Sequence, residues 1–592
     1  MTQPAREESP APIWRWSWAL IALTAILAHL PALRGYFFQD DWSRLAAVVH
    51  GGGAGLLGPR PLSRLVGFEL GHFFFGLRAA AWHASALCAW ALASVLTQKL
   101  GLRMGLRPFA ATVAGLIAAA TPVVLLPVFW ASASAEIFAV LFGLLALWAW
   151  LHPHRLGVSL AVLAGLASFF CKESLLALPL LLLLLPRGFL PEGGPSRARR
   201  NWALLLLLIG AVAAAALVWK VMAPADVHDP YAMGGPRLWL MNLLVLGAWL
   251  VSPLAFAPLP TPSLPFFGAL VWAAWVALAI RKARAGERRE SWWLLLALLS
   301  LAPVLPLARH LQPYYLLGAV PAFAWSIGGT LDLLQKEAPL RPRLQPLLAL
   351  LFALAALGVG YSASARRFEA RDARGRLKDP LALRSALAYE AAGLVRSLPL
   401  QPGETLAVLA ATATEWPREM PVRMAQRLNS KIYVAIDGEK GLSVMVPEGV
   451  SVRWDSHLDG LRADSMILFD DGGMRLRFWG RVRNARFYSA LLAMAAQQYQ
   501  RALHDLWVVG GKGAQLDFTY QPELLPVAGS AIDENASPFV HYLLSHEEDS
   551  TLARRLVLLF EQLYKAVRGK ELEWAGDAAA DSSSTRADSS GP

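Results

Sequence analysis

The chain has 592 residues, of which 56% are hydrophobic and only 17% charged. Soluble globular chains carry roughly 25% charged residues, so these numbers exclude an ordinary soluble domain and indicate a polytopic membrane protein. The net charge of +12 does not point to nucleic acid, because Lys and Arg gather in short loops between apolar runs, as membrane-orientation signals do.

The first apolar run, residues 13–33, follows a mixed-charge lead and has no small-residue cleavage site, so it reads as a retained span and not as a removed signal. Directly after it stands Gly35-Tyr36-Phe37-Phe38-Gln39-Asp40-Asp41-Trp42-Ser43-Arg44. An ionised carboxylate within a bilayer costs several kcal/mol, which puts Asp40 and Asp41 at the membrane face. A solvated loop with an Asp helix cap is the plain alternative. Residues 34–78 form a long first outer loop, with a flexible Gly51-Gly52-Gly53-Ala54-Gly55 stretch. Arg60-Pro61-Leu62-Ser63-Arg64 then leads into Leu65–Phe75, apolar but carrying Glu69 and His72, which is expected to be an amphipathic helix on the membrane.

A spanning helix needs roughly 20 apolar residues. Besides 13–33, the candidates are 79–98, 109–128, 132–151, 157–170, 174–190, 202–222, 265–280, 291–308, 314–330 and 344–361. Segment 238–262, broken by Pro253, Pro258, Pro260 and Pro262, reads as re-entrant or interfacial. Eleven spans with a cytoplasmic N-terminus place Lys99, Arg103, Arg107, Arg155, the Arg281–Arg289 cluster, Lys336, Arg341 and Arg343 inside. The same topology brings three polar sites to the outer face: Asp40-Asp41, Lys172-Glu173, and Arg309-His310 with Tyr314-Tyr315. Of the two cysteines, Cys88 lies in an apolar run and Cys171 at the edge of one, which argues against a structural disulfide.

From residue 362 the composition turns polar. Thr405–Leu409, Lys431–Ile436, Ser443–Val446, Ser451–Trp454 and Ser465–Phe469 read as strands. Asp470-Asp471-Gly472-Gly473 reads as a hairpin turn, and 484–508 as a helix. The expected organisation is a membrane domain over 1–361, an extracytoplasmic α/β domain over 362–576, and a disordered Ala/Asp/Ser-rich tail over 577–592.

Adjacent carboxylates point in different directions, so Asp40 and Asp41 are not the facing pair of a glycoside hydrolase. One acid could serve as a lone general base if the leaving group is a stable anion such as a phosphate, provided cations sit near the leaving oxygen. Lys172-Glu173 and Arg309-His310 with Tyr314-Tyr315 could supply such an anion clamp; snorkelling charges and interface anchors are the plain readings. His83, beside Trp82, reads more readily as an interior histidine than a ligand, and Glu136 near Trp130 could line a cavity. No zinc spacing or nucleotide loop is present. An acidic pair could hold a divalent cation, though two adjacent carboxylates alone make a poor site.

The acidic pair, Arg60-Pro61-Leu62, Trp82-His83, Thr121-Pro122 followed by Phe129-Trp130, Ser134 and Glu136, Cys171-Lys172-Glu173-Ser174 with Pro179, and the Arg309 to Tyr315 run together resemble the GT-C glycosyltransferases, closest to protein O-mannosyltransferase-like members. The resemblance covers residues 1–361. It implies a polyprenyl-phosphate-linked sugar as donor, an inverting transfer at the outer face, Asp40 as base with Asp41 in the second acidic position, and Lys172 and Arg309 on the donor phosphate. Arg60, His83, Glu136, Glu173, His310, Tyr314 and Tyr315 complete the expected binding set, with His310 standing where the family more often has Tyr. The acceptor would be a protein, glycolipid or glycan, and the Ala/Leu/Arg-rich composition fits a bacterial inner membrane with a periplasmic active face. A carrier or flippase for a lipid-linked sugar would need a similar cavity, and a non-catalytic relative whose outer domain binds partners is the third reading.

Overall fold

In the computed structural model, residues 12–51, 60–63, 67–152, 155–186, 233–251, 263–308, 310–338, 340–373, 377–397, 400–411, 431–454, 464–470, 475–481, 490–510 (except 492 and 496), 529–546 and 550–568 are described, with a few isolated positions besides. The chain divides into two compact units, one formed by residues 1–37 and 47–383, the other by 38–46 and 384–592.

The first unit is helical. Among the described residues six helical stretches are long and apolar enough to cross a membrane: Trp14–Arg34, Ala79–Arg103, Pro108–Phe129, Ala131–Trp150, Leu264–Arg284 and Gln345–Glu369. Pro108–Phe129 is central and mostly buried, whereas Gln345–Glu369 turns Leu347, Leu351 and Leu354 outward, the pattern expected when the solvent is hydrocarbon. Small residues set the packing distances. A Cβ on Gly115 would lie 2.5 Å from Ile21, and one on Gly360 would lie 2.8 Å from Ala28 and 2.9 Å from the Ala120 carbonyl oxygen, so these helices meet backbone to backbone. Buried polar bonds pin them in register. The Trp90 indole donates to the Ala118 carbonyl at 3.1 Å, and that of Trp325 to Thr97 at 2.7 Å. The ring nitrogens of His29 lie 3.1 Å from the Ala119 carbonyl and 3.2 Å from the Ser364 hydroxyl.

Several expected spans take other forms. Run 157–170 is a 17-residue helix, Arg155–Cys171. Run 174–190 begins as a 3-10 turn, Glu173–Leu175, followed by a six-residue helix, Leu178–Leu183, with Pro179 in its first turn. Run 291–308 is helical over Arg289–Leu301. Run 314–330 is a 3-10 segment, Pro313–Gly318, that leads into the Val320–Glu337 helix. Most of 202–222 lies outside the described residues, as does 252–262; the preceding Pro236–Val251 is one continuous helix. In the first loop, Gly67–Phe75 is helical, with Phe68 buried and Leu70, Phe73 and Phe74 exposed. Most of the glycine stretch, residues 52–59, lies outside the described residues.

The second unit holds a four-stranded sheet in the order β2-β1-β3-β4, with β1 Thr405–Ala411, β2 Ser451–Trp454, β3 Ser465–Asp470 and β4 Arg475–Arg481. β1 runs parallel to β2 and β3, and β4 is antiparallel to β3, with Asp470 opposite Arg475. That pairing is a hairpin, although residues 471–474 lie outside the described set. Two expected strands are corrected. Lys431–Ile436 and Gly438–Met445 are short helices, joined at Asp437 and Gly438 with φ of +53° and +60°. The apolar residues that signalled strands are instead buried on helix faces, as the β-branched Ile436 is, together with Leu442. The expected 484–508 helix is also corrected: a turn at Gln497, φ +60°, precedes the Tyr499–Gly510 helix. Two further helices follow, Gly529–His546 and Ser550–Arg568, and the 577–592 tail lies outside the described residues.

Candidate functional site

Four charged side chains converge in the first unit. The helix Arg155–Cys171 stops where Lys172 takes up extended backbone, φ −160° and ψ 147°, before the chain tightens into the Glu173–Leu175 turn. Extended backbone sends neighbouring side chains to opposite sides. Lys172 accordingly turns to Glu136, near the start of the Ala135–Trp150 helix, with Nζ 3.4 Å from Oε1. Glu173 turns to Arg60, whose guanidinium donates to both carboxylate oxygens, from Nε at 2.7 Å and from a terminal nitrogen as well. This is the two-pronged geometry in which Arg binds carboxylates best. Arg60 holds a left-handed backbone, φ +60°, and the hydroxyl of Ser63 donates to the Cys171 carbonyl at 2.9 Å, fastening this piece of the loop to the turn. The turn itself is clamped from both sides: a Cβ on Gly143 would lie 2.5 Å from Leu175, and one on Gly318 would lie 3.4 Å from it.

Glu136 Oε1 makes no close hydrogen bond, and Lys172, which faces it, is loosely held. Its side chain is 9% exposed. The ammonium faces Tyr315 and Tyr314, 5.5 and 5.9 Å from the ring centres, as cation–π contacts. An ammonium carries three donors, yet among the described residues its one carboxylate contact is that to Glu136. Glu136 is also held by the hydroxyl of Ser174. Tyr314 packs edge-on to Trp130, and its hydroxyl lies 3.5 Å from His310 Nε2. Lys172 and Glu173 stand between apolar helices, not within them. Burial and the nearby Arg60 charge push the Lys172 ammonium below its ordinary value, against the pull of Glu136 and Glu173. Burial alone would raise the Glu173 carboxyl, but the charges of Lys172 and Arg60 and the Arg60 hydrogen bond outweigh it and hold it at about 2.

Beside the cluster lies an apolar cavity of about 360 Å³. The amphipathic Gly67–Phe75 helix supplies one wall through Phe68, Phe74 and Phe75, and Trp82, Phe138 and Phe142 supply much of the rest. A Cβ on Gly71 would lie 2.4 Å from the Trp82 ring, so this helix rests directly on the indole. The lining also includes Ser63, Ala135 and Cys171, which are sequence neighbours or near neighbours of Arg60, Glu136 and Lys172. One end of the cavity thus borders the charged cluster, and the rest is mainly hydrocarbon and aromatic, with Ser85, Ser132 and Ser134 among the lining.

Of the residues expected from sequence, Arg60, Glu136, Lys172, Glu173, His310, Tyr314 and Tyr315 are brought together. Ser174, Ser63 and the phenylalanines of the cavity were not singled out; only the Ser174 position, next to a charged pair at a helix end, offered a signal. His83 is fully buried, with Nε2 facing Gly35 and no hydrogen bond of good geometry at either ring nitrogen. Arg309 lies outside the described residues.

Asp40 and Asp41 belong to the second unit. They open the Asp40–Val49 helix, where a carboxylate favours the N-terminal end. Asp41 is fully buried and accepts the Phe38 backbone N–H at 3.3 Å. Asp40 is partly exposed, with its carboxylate 2.8 Å from the Arg44 guanidinium. Gln39, just before, has a φ of +54°, and its N–H donates to the Ala435 carbonyl at 2.8 Å. A residue other than glycine at that φ is uncommon and costs about 1–3 kcal/mol, so the entry to the acidic helix is fixed by its surroundings. Among the described residues no group of three His, Cys, Asp or Glu side chains could hold a metal. The chain matches no protein-family model and no curated protein.

Proposed function

We propose that the chain is an integral-membrane glycosyltransferase that moves a sugar from a polyprenyl-phosphate donor to an acceptor hydroxyl on the outer face, with inversion. The observation that carries this reading is a buried ammonium, Lys172, that faces one carboxylate and two tyrosine rings, while its neighbour Cys171 lines an apolar cavity. Such a site suits an amphiphile with an anionic head and a hydrocarbon chain. The cavity would take part of the isoprenoid, Lys172 and Arg60 the phosphate, and the Tyr314–Tyr315 wall the sugar-bearing end. Asp40 is the proposed general base, being the more exposed member of the acidic pair, while Asp41 has a structural place at the helix start. The proposal includes the full topology: eleven spans, a cytoplasmic N-terminus, and an α/β domain on the periplasmic side of a bacterial inner membrane. The acceptor would be a protein, glycolipid or glycan.

A second reading, a carrier for a lipid-linked sugar, draws on the pairing of Asp40 with Arg44, which a base would have to leave. The test compares wild type and Asp40→Asn in sugar release from a radiolabelled polyprenyl-phosphate sugar panel with crude membrane acceptor. A general base is typically worth about 10²–10⁴-fold, so release should drop by that factor while donor binding is retained. Binding without release in both proteins would favour the carrier.

A further inference from the structure

The charged cluster is electrically balanced without any ligand. Arg60 and Lys172 face Glu136 and Glu173, so among the described residues two cations meet two carboxylates. A lipid phosphodiester brings one more negative charge to these four groups, which already balance one another. The known resolution of such crowding is that one carboxylate becomes neutral, as when two acids share a site.

Geometry decides which one. Glu173 is gripped by two guanidinium bonds, the strongest kind of side-chain pairing for a carboxylate. Glu136 has only the 3.4 Å ammonium contact and the Ser174 hydroxyl. A phosphate approaching Lys172 competes with Glu136 directly and offers acceptor oxygens to the three ammonium donors. A hydroxyl can donate or accept, so Ser174 stays bonded to Glu136 whether or not the acid carries a proton.

We propose that Glu136 is a displaceable counter-ion: a lipid-borne phosphodiester takes its place on Lys172, and Glu136 takes up one proton from water as the ligand binds. This rests on the reading of the cluster as a lipid-phosphate site. The balance is simple. No bond to phosphorus forms or breaks, one ligand charge enters, one carboxylate charge is cancelled, and the buried cluster stays neutral. The charged groups that act on Glu136 are Lys172 and Glu173 from the turn and Arg60 from the 60–63 segment; Tyr314 and Tyr315 of the 313–318 segment face Lys172 from its other side, with His310 against Tyr314.

The experiment is calorimetric binding of a short-chain polyprenyl-phosphate hexose to full-length protein in detergent. A phosphodiester keeps one charge across the range studied, so the ligand contributes no titration of its own. Repeating the titration in buffers of different ionisation enthalpy counts protons directly. About one proton taken up per ligand is expected, with affinity falling by up to about tenfold per pH unit as the pH rises through the window where free Glu136 is ionised. Glu136→Gln should bind with no pH dependence, whereas His310→Gln should keep it. The proton count on wild type stands even if Glu136→Gln fails to fold. Binding with no net proton exchange would overturn the proposal and leave the lipid-phosphate reading intact. Equal binding of neutral polyprenol, or no binding of the phosphodiester, would overturn both. Dimethyl phosphate serves as the chain-free control. If it bound as tightly as the lipid, the site would take free phosphate and the lipid part of the proposal would fall.

Discussion

Among the described residues two buried Lys–Glu pairs sit in the helical unit, and they differ in how many donors reach each carboxylate. In the pair formed by the Leu264–Arg284 helix and the next, Glu290 accepts from Lys282 at 3.1 Å, from the Trp275 indole at 3.0 Å, and from the Ser326 hydroxyl. Its carboxylate is fully buried, and a Cβ on Gly329 would come within 3.2 Å of the ammonium. No member of either pair lines the cavity, but Cys171 and Ala135, next to Lys172 and Glu136, do. Lys172 and Glu136 have the same chemistry but a longer contact, two aromatic faces in place of acceptors, and cavity-lining neighbours. A buried charge with all its partners is a fastening between helices. A buried charge with room and donors to spare is a place for a ligand. An ionisable residue inside a membrane protein is therefore not evidence of function until its hydrogen bonds have been counted.

The sharpest way to break this comparison is to remove the satisfied carboxylate. Glu290→Ala strands Lys282, an indole and a hydroxyl, and losing one partner of a buried pair costs about 3–5 kcal/mol. Thermal unfolding in detergent should register most of that loss, with the affinity of the remaining folded protein for lipid phosphate unchanged. An equal loss of affinity would mean that the two clusters are not separate in function.

The opposite pattern is expected at Lys172→Met. Hydrogen bonds to charged groups are worth about 1.5–3 kcal/mol, so phosphodiester affinity should drop about ten- to a hundredfold by calorimetry. Stability should change little, because Glu136 keeps Ser174 and can exist as the neutral acid, and the Met chain refills the space between the tyrosines. A large fall in melting temperature with intact affinity would make this pair a fastening after all.

Arg60→Gln tests the other half of the cluster. Glu173 is held at about 2 against an ordinary value of 4.5. A carboxyl lowered on folding contributes stability that is complete above its unfolded value and is lost as pH falls through the folded one. In wild type that loss spans pH 4.5 down to about 2. Without Arg60 that contribution is diminished where it is complete, so Arg60→Gln should lower the melting temperature at neutral pH, and the further loss of stability between pH 4.5 and about 2 should shrink.

The sequence read these two clusters unequally, for a physical reason. Lys172, Glu136 and the tyrosine pair each stand at or near the end of an apolar run, where an uncompensated charge is conspicuous. Lys282 and Glu290 sit within the basic stretch 281–289 and just past it, where the charges pass for orientation signals. Only the tight turn at Gly286, φ +82°, shows that the helices double back and bring them together. Partnership was also hidden: Arg60 and Glu173 are 113 positions apart, and nothing in either segment names the other. The strands at Thr405, Ser451 and Ser465 were legible as apolar runs bounded by turns. Lys431–Ile436 was misread because β-branched residues pack equally well on a short buried helix.

The smallest expected effects come from making the same change in both clusters, and they discriminate best. Ser326→Ala and Ser174→Ala each remove one hydroxyl from a buried carboxylate, a loss of about 1 kcal/mol by itself. Glu290 keeps two donors, so Ser326→Ala should lower stability by that amount and leave ligand affinity alone. Glu136 keeps only Lys172. With less to hold its charge, Glu136 gives up Lys172 more readily to an incoming phosphate, so Ser174→Ala should bind the phosphodiester as tightly as wild type or tighter despite its lower melting temperature. A loss of affinity in Ser174→Ala would show that Glu136 must stay charged and in place for the ligand to bind. The two pairs would then differ in strength alone, and not in kind.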